Sequence, residues 1–263
     1  MAATTDARSP ANGLGINADR WLPSRRMATT LHHAYHLFVP PGAARRAGRI
    51  WREHVAALRS SRLAAALDSM HLCIVGERID VPPPPCHHTV EHSDSGHETV
   101  TLRAIARRAA DAEDDALFLY CHSKGVTYRP GTKAAFHAAS WRRAMLAHVV
   151  RDWRDSVAPL IDGRCDTSGP FYLDAAVWQD RKARFGAHSY FAGNFWWSTA
   201  AHIRRLPPAP LDVPRHFAEI WIGLSPQRAF SRSRNVFPGL TATIRTRILR
   251  ALERNGIRAP SPN

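Results

Sequence analysis

Several features that would quickly assign this chain to a class of protein are missing from its sequence. No apolar run approaches the roughly 18 to 20 residues that a membrane-spanning helix needs, and the N-terminus lacks the apolar stretch of a secretory signal. The four cysteines form no Cys-x-x-Cys pair. Cys73 and Cys121 lie in apolar, strand-like runs, as buried reduced thiols of cytosolic proteins do. We therefore expect a cytoplasmic protein, located either in the cytosol or at the inner face of a membrane.

Lysine is scarce as well. Only three of the 36 basic residues are lysines (Lys124, Lys133 and Lys182), and the others are arginines. The net charge of +14 is typical of proteins that bind nucleic acid. An almost complete preference for arginine is explained more simply by the codon usage of a GC-rich genome, so we expect no specific nucleic-acid partner.

Short apolar runs alternate along the chain with segments of helical periodicity. The runs predict strands at 32–39, 71–76 and 116–125, and the segments predict helices, of which the longest covers 136–161. Residues 77–97 are interpreted as a loop, because four consecutive prolines exclude a helix and a central strand. The alternation predicts an α/β fold: a single Rossmann-like domain with a largely parallel sheet flanked by helices.

The ends of the chain differ in composition from this domain, which we place at residues 31–238. Residues 1–30 are interpreted as a disordered extension, within which Met27 is an alternative start. Residues 239–263 are predicted to form a basic C-terminal helix and tail, which could contact anionic lipid or a phosphate-rich partner.

Two segments lie where a parallel sheet of this kind binds ligands, at the carboxyl ends of its strands. One is "CHSKG" (121–125), in which His122, Ser123, Lys124 and Gly125 follow a buried strand. A lysine ammonium is a compact charge that suits a phosphate oxygen. A solvated lysine at a turn is the alternative. The other segment is "AGNFWW" (192–197).

These segments carry a resemblance to a known family. "LFLYCHSKGVTY", "WRRAMLAHVVRDW", "YFAGNFWWSTAAHIRRLP" and "RHFAEIWIG" together resemble bacterial and viral glycosyltransferase-like proteins of the GT-A superfamily, near the rhamnan-synthesis proteins, over roughly residues 31 to 225. The resemblance implies a nucleotide-sugar donor and a glycan or lipid-linked glycan acceptor. It implies donor binding by Ser123 and Gly125, with Lys124 and His122 as catalytic groups that offset the charge of the leaving group.

The metal-binding Asp-x-Asp motif that is common in GT-A enzymes does not occur in this chain. We therefore predict a metal-independent enzyme without a cofactor. A divalent cation such as Mn²⁺ held by a scattered set of residues is the alternative.

The resemblance implies that Gly193, Asn194, Trp196 and Trp197 line the acceptor side of the cleft. Adjacent side chains of an extended segment point to opposite faces, so the two indoles cannot share one core. Either they join two core layers, or one packs in the core while the other stacks on a sugar. We expect the second arrangement, with Trp196 facing the cleft and Asn194 bonded to a sugar hydroxyl.

Three further residues complete the predicted site. Glu219 has an apolar, aromatic surrounding, which makes a carboxylate a stronger base, and we predict that it takes the proton of the acceptor hydroxyl. Arg215 lies four residues earlier on the same helical face, although the two could form a simple surface pair. Glu98 opens a predicted helix, where it either interacts with the helix dipole or contacts the donor.

The most favoured function is accordingly that of a glycosyltransferase. Its rival is a non-catalytic protein of the same fold that binds a sugar or nucleotide and is docked to a membrane or an assembly complex by its basic tail.

Overall fold

The central strand of the sheet is β1, an almost entirely buried run of nine residues. The structure, a computed structural model, describes residues 29–174, 188–210 and 217–231. Its main sheet has seven strands in the order β3-β2-β1-β4-β8-β5-β9, and β6 and β7 form a separate pair. The strands are β1 (Leu31–Val39), β2 (Ser69–Gly76), β3 (His88–Ser93), β4 (Leu117–His122), β5 (Thr167–Ser168), β6 (Tyr172–Leu173), β7 (Tyr190–Phe191), β8 (Trp196–Thr199) and β9 (Ala229–Phe230).

Strands β1 to β4 pair in parallel with one another, whereas β8 is antiparallel to both β4 and β5. The sheet is therefore largely parallel, and its four parallel strands contain the three strands predicted from apolar runs. The prediction of a Rossmann-like α/β fold is confirmed.

Helices cover both faces of the sheet. Helices α1, α4 and α5 contribute to one core with Leu119 and Trp197, and α3 and α6 contribute to the other with Phe118 and Trp196. The helices are α1 (Ala44–Ser60), α2 (Leu63–Ala66), α3 (Thr99–Ala110), α4 (Lys133–Leu146), α5 (Trp153–Ile161), α6 (Ala200–Arg204) and α7 (Phe217–Ile220). In the described part of the chain, no helix is long and apolar enough to cross a membrane.

Two predicted elements need correction. The long helix predicted at 136–161 is divided into α4 and α5 by a π-helical turn (Ala147–Arg151), in which the N–H of Asp152 bonds to the carbonyl of Ala147. The segment 77–97 is not entirely loop, because β3 adds to the edge of the sheet beside β2. Its polar, half-exposed residues carry no apolar run, since an edge strand buries little of its surface.

The adjacent tryptophans of β8 are both fully buried. Trp197 packs in the core beside α5, where its indole N–H donates to the carbonyl of Val149, and Trp196 packs in the core beside α3. The two side chains do point to opposite faces, but each face is covered. The prediction that Trp196 or Trp197 faces a cleft is therefore wrong, because a second helical layer lies where solvent was expected.

The structural predictions for both ends fall almost wholly outside the described residues. Residues 1–28 of the predicted extension and the predicted helix and tail at 239–263 are not among the described ranges.

Candidate functional site

The order of the strands reverses between β1 and β4. After β1 the chain builds β2 and β3 on one side, and it then returns through α3 to place β4 on the other side. A cleft opens at the carboxyl ends of β1 and β4, which is where doubly wound sheets bind ligands. It is lined by His36 and Phe38 of β1, by His97 and Glu98 before α3, and by residues 122–127 after β4.

The turn after β4 is fixed on both sides. The backbone N–H of Ser123 donates to the carbonyl of His36 (2.9 Å), and the Ser123 hydroxyl accepts from the N–H of Phe38 (2.8 Å). Gly125 has a φ of +89°, and a Cβ at this position would lie 2.8 Å from the Cβ of Ala138 on α4. The turn thus requires glycine both for its conformation and for its close approach to α4.

Lys124 is held between the cleft and α4. Its ammonium lies 4.1 Å from the ring centroid of Trp141, a cation–π contact. Its carbonyl accepts a 2.7 Å hydrogen bond from Arg142, which is buried and forms a 2.7 Å ion pair with Glu53. These contacts fix the lysine where the cleft opens.

Both ring nitrogens of His122 face hydrogen-bond acceptors. Nε2 lies 2.9 Å from the carbonyl of Gly193, and Nδ1 lies 3.3 Å from Oε1 of Glu98. A carbonyl only accepts, so Nε2 donates, and a second proton on Nδ1 turns its contact with Glu98 into an attraction. The imidazole and the carboxylate form a close pair, and both groups are buried in the wall of the cleft.

Glu98 is the centre of a buried network. Its Oε2 accepts from the Tyr120 hydroxyl (2.9 Å) and from the side-chain amide of Asn194 (2.8 Å). Together with His122, these donors satisfy the carboxylate from three sides, which is what a buried charge needs. Glu98 precedes α3 as predicted, but its side chain caps no backbone N–H of that helix.

Asn194 is part of this network and is itself fully buried. Its amide also donates to the carbonyl of Ala218 (3.0 Å), and its oxygen accepts from the indole N–H of Trp196 (2.9 Å). The predicted contact of Asn194 with a sugar hydroxyl is therefore corrected, because its polar groups are used internally. Gly193 lies beside Asn194 in the same buried turn, and its carbonyl contacts His122. The predicted segments "HSKG" and "GNFWW" therefore do meet, but only the first lines the cleft, while the second packs behind it.

Of the two remaining predicted residues, only Glu219 belongs to the described part of the chain. Glu219 is partly exposed on α7 and is not among the residues that line the cleft, although its neighbour Ala218 contacts Asn194. Its role as a base stays a prediction. Arg215 lies outside the described residues.

Tyr120 and Arg142 were not singled out from the sequence. Tyr120 lies 22 positions from Glu98, and Arg142 lies 18 positions from the carbonyl of Lys124 that it holds. No local motif signals contacts over such separations.

The cleft does not offer the ligand set of a divalent metal. Mn²⁺ and Mg²⁺ prefer several oxygen ligands, and Glu98 is the single carboxylate among the described lining residues, with both oxygens already engaged. Metal independence itself stays a prediction.

Two clusters of metal-ligating side chains occur elsewhere among the described residues. They consist of His33, His54 and Cys121, and of His71, Cys73 and Glu91. In the first, Nε2 of His33 and Nε2 of His54 lie 2.7 Å apart, and Nδ1 of His33 faces the carbonyl of Leu119. Burial lowers the pKa of His33 to about 4, and it also lowers that of His54 well below its ordinary value. The pair is therefore neutral at pH 7.

No protein-family model and no curated protein matches this chain. Among solved structures, Rv0371c of Mycobacterium tuberculosis H37Rv in complex with manganese matches 85% of this chain and 98% of its own, at 13% identity and a TM-score of 0.38. A 4-diphosphocytidyl-2C-methyl-D-erythritol synthase matches 87% of this chain and all of its own, at 13% identity and a TM-score of 0.38. CMP:2-keto-3-deoxy-manno-octonic acid synthetase in complex with CTP reaches 12% identity and a TM-score of 0.35. Likenesses this remote do not bear on chemistry, and the α/β assignment rests on the strand order itself.

Proposed function

We propose that this chain is a glycosyltransferase. It takes a nucleotide-sugar donor into the cleft at the carboxyl ends of β1 and β4 and transfers the sugar to a glycan or lipid-linked glycan acceptor. The observation that carries the proposal is the position of Lys124 on a fixed turn, where the strand order reverses. Nucleotides bind at such reversal points in open α/β sheets. The reaction class comes from the resemblance of "HSKG" and "GNFWW" to GT-A proteins.

The charges of the cleft support an anionic ligand. The charge of Glu98 is balanced within the wall by His122 and by two further donors. Lys124 then gives the lining a net positive charge. An ammonium near a diphosphate attracts the donor and also stabilises the charge that develops on the leaving nucleoside diphosphate.

The other predicted residues have supporting roles in this proposal. Ser123 and Gly125 shape the turn beneath the diphosphate, and the Glu98–His122 pair fixes the wall beside it. Glu219 is proposed as the acceptor base. The segment that carries it is joined through Ala218 and Asn194 to Glu98, so the acceptor and donor sides are connected by hydrogen bonds.

Titration of the purified protein with UDP, GDP and their sugar conjugates, with EDTA or with Mn²⁺, tests the function. We expect one nucleoside diphosphate to bind, the binding to weaken in Lys124→Ala, and sugar transfer or donor hydrolysis to survive EDTA. Binding without transfer or hydrolysis would instead identify the non-catalytic binding protein. A folded protein that binds neither a nucleoside diphosphate nor a nucleotide sugar contradicts the glycosyltransferase function, and activity lost in EDTA and restored by Mn²⁺ contradicts metal independence.

A further inference from the structure

Large apolar side chains are exposed near the mouth of the cleft. Three large hydrophobic residues are exposed in the described part of the chain, namely Tyr128 (46%), Phe136 (61%) and Val90 (54%). Two of the three, Tyr128 and Phe136, lie within residues 127–136, a loop together with the first turn of α4, which we call the rim loop. Scattered single apolar residues are ordinary on a surface, whereas two exposed aromatics on one short segment are candidates for an interaction site.

The rim loop is also basic and contains no acidic residue. Arg129 and Lys133 are exposed, and neither forms an ion pair with another described residue. The chain holds no aspartate or glutamate anywhere between Asp115 and Asp152. Arg142 and Arg143 in this stretch are paired with Glu53, whereas Arg129 and Lys133 have no ionic partner among the described residues.

The loop has a defined shape and continues directly from the cleft. Val126 and Thr127 line the cleft, and the carbonyl of Tyr128 accepts a 2.8 Å hydrogen bond from Arg46 on α1. The turn then closes at Thr132, whose N–H and hydroxyl both donate to the carbonyl of Arg129 before α4 begins. Tyr128 and Arg129 are therefore presented from a hydrogen-bonded turn, and Lys133 and Phe136 are presented from the first turn of α4.

We propose that the rim loop docks this protein onto an anionic phospholipid surface, so that the cleft opens towards the lipid headgroups. Exposed aromatic rings enter the boundary between headgroups and acyl chains, and neighbouring cations contact anionic headgroups. The identity of the acceptor as a lipid-linked glycan rests on the proposed function, whereas the docking itself does not. A DNA duplex would use the cations, but its bases are stacked inside the helix, so it would leave Phe136, on the first turn of α4, without a role of its own.

Vesicle co-sedimentation tests this surface. The probes are vesicles of phosphatidylcholine alone and vesicles that also contain phosphatidylglycerol, each at two salt concentrations. The double variant Arg129→Gln/Lys133→Gln should weaken binding to the anionic vesicles about 30-fold, because each cation near such a surface contributes about fivefold. Tyr128→Ser/Phe136→Ser should weaken binding at least tenfold, roughly the value of one inserted aromatic group, and high salt should restore none of it.

Matched controls are available on the same chain. Val90→Ser removes the third exposed apolar residue, and Arg52→Gln/Arg103→Gln removes two exposed charges from α1 and α3. Both controls should bind vesicles like the wild type. Other basic segments of the chain also attract anionic lipid and could bind vesicles by themselves. If vesicle binding is unchanged in both rim-loop variants, these other segments are responsible for it and the proposal is wrong. Binding of a DNA duplex through these residues without any binding to vesicles also overturns the proposal.

The docking and the proposed function fail in different ways. If the wild type transfers the sugar of a nucleotide-sugar donor, or hydrolyses that donor, but binds no anionic vesicle, the docking surface is wrong and the function stands. If the rim-loop variants lose vesicles while no nucleoside diphosphate binds, the surface stands and the function is wrong.

Discussion

The side-chain amide of Asn194 donates a 2.8 Å hydrogen bond to Oε2 of Glu98, which lies 96 positions earlier in the chain. The same amide bonds to the carbonyl of Ala218, so one residue joins the start of α3, the turn before β8 and helix α7. Asn194 has a φ of +58°, in the left-handed region that asparagine adopts more readily than most residues. It is a positioning residue, since it holds Glu98 while facing no open space itself.

Asn194→Ala should therefore destabilise the protein for two separable reasons. It leaves the buried carbonyl of Ala218 and the buried indole N–H of Trp196 unpaired, and it removes one of the two donors to Oε2 of Glu98. These losses cost at least about 2 kcal/mol in the free energy of unfolding. It also places a Cβ without a compensating hydrogen bond at positive φ, which costs roughly 1 kcal/mol more. Asn194→Gly suffers only the first loss. Urea unfolding of both variants measures the difference, and equal stabilities would show that the left-handed conformation carries no cost.

Gly125 and Gly131 form a second matched pair. Both have a positive φ, but a Cβ at Gly125 would lie 2.8 Å from Ala138, whereas a Cβ at Gly131 would meet nothing within 4 Å. Gly131→Ala should thus cost only the backbone term of roughly 1 kcal/mol. Gly125→Ala should cost about 1 to 3 kcal/mol more, because helix α4 must shift. Chemical denaturation provides the comparison. A Gly125→Ala variant as stable as Gly131→Ala would mean that the turn and α4 can move apart without a cost in stability.

The parts of the fold that sequence patterns predict are those with strong, local signals. Strands β1, β2 and β4 are almost entirely buried, so they appear as largely apolar runs, although β1 also contains three histidines. Edge strand β3 gives no such signal. The two tryptophans of β8 show a different limit: alternation predicts that they face opposite sides, but only the packing of α3 and α6 decides whether the second side is solvent or core.

The candidate site divides in the same way. The position of "HSKG" at a strand end follows from local sequence, and this segment does line the cleft. The hydrogen-bond network of Tyr120, Glu98 and Asn194 cannot be predicted from local sequence, because these residues are far apart in the chain and meet only in the folded sheet.

The buried His33–His54 pair predicts a loss of stability in mild acid. Burial lowers the pKa of His33 to about 4 from an ordinary value of 6.5, so the unfolded chain binds more protons than the folded protein between these values. The stabilisation is complete above about pH 6.5, and it is lost as the pH falls towards 4. For His33 alone, the loss is roughly 3 kcal/mol at most. His54 changes in the same direction.

Urea unfolding between pH 4.5 and 8 measures this slope. His54→Gln removes one of the two titrating groups, so its stability should fall less steeply with acid, even though the variant is less stable at pH 7. An equally steep slope in His54→Gln would assign the acid sensitivity to other residues.

Loss of Lys124 should lower turnover far more than it lowers stability. The leaving nucleoside diphosphate gains negative charge as its bond to the sugar breaks, so a lysine beside it stabilises the transition state more than the bound donor. Lys124→Ala should reduce kcat by about 10² to 10³, while the contact with Trp141 is worth only roughly 0.5 to 1 kcal/mol to folding. Lys124→Met keeps most of the stem without the charge, so it should lose as much activity as alanine. Lys124→Arg should recover only part of it, because a planar guanidinium is wider than an ammonium. Steady-state kinetics and thermal unfolding of the three variants decide the matter: wild-type turnover in Lys124→Met would show that the charge at this position has no part in catalysis.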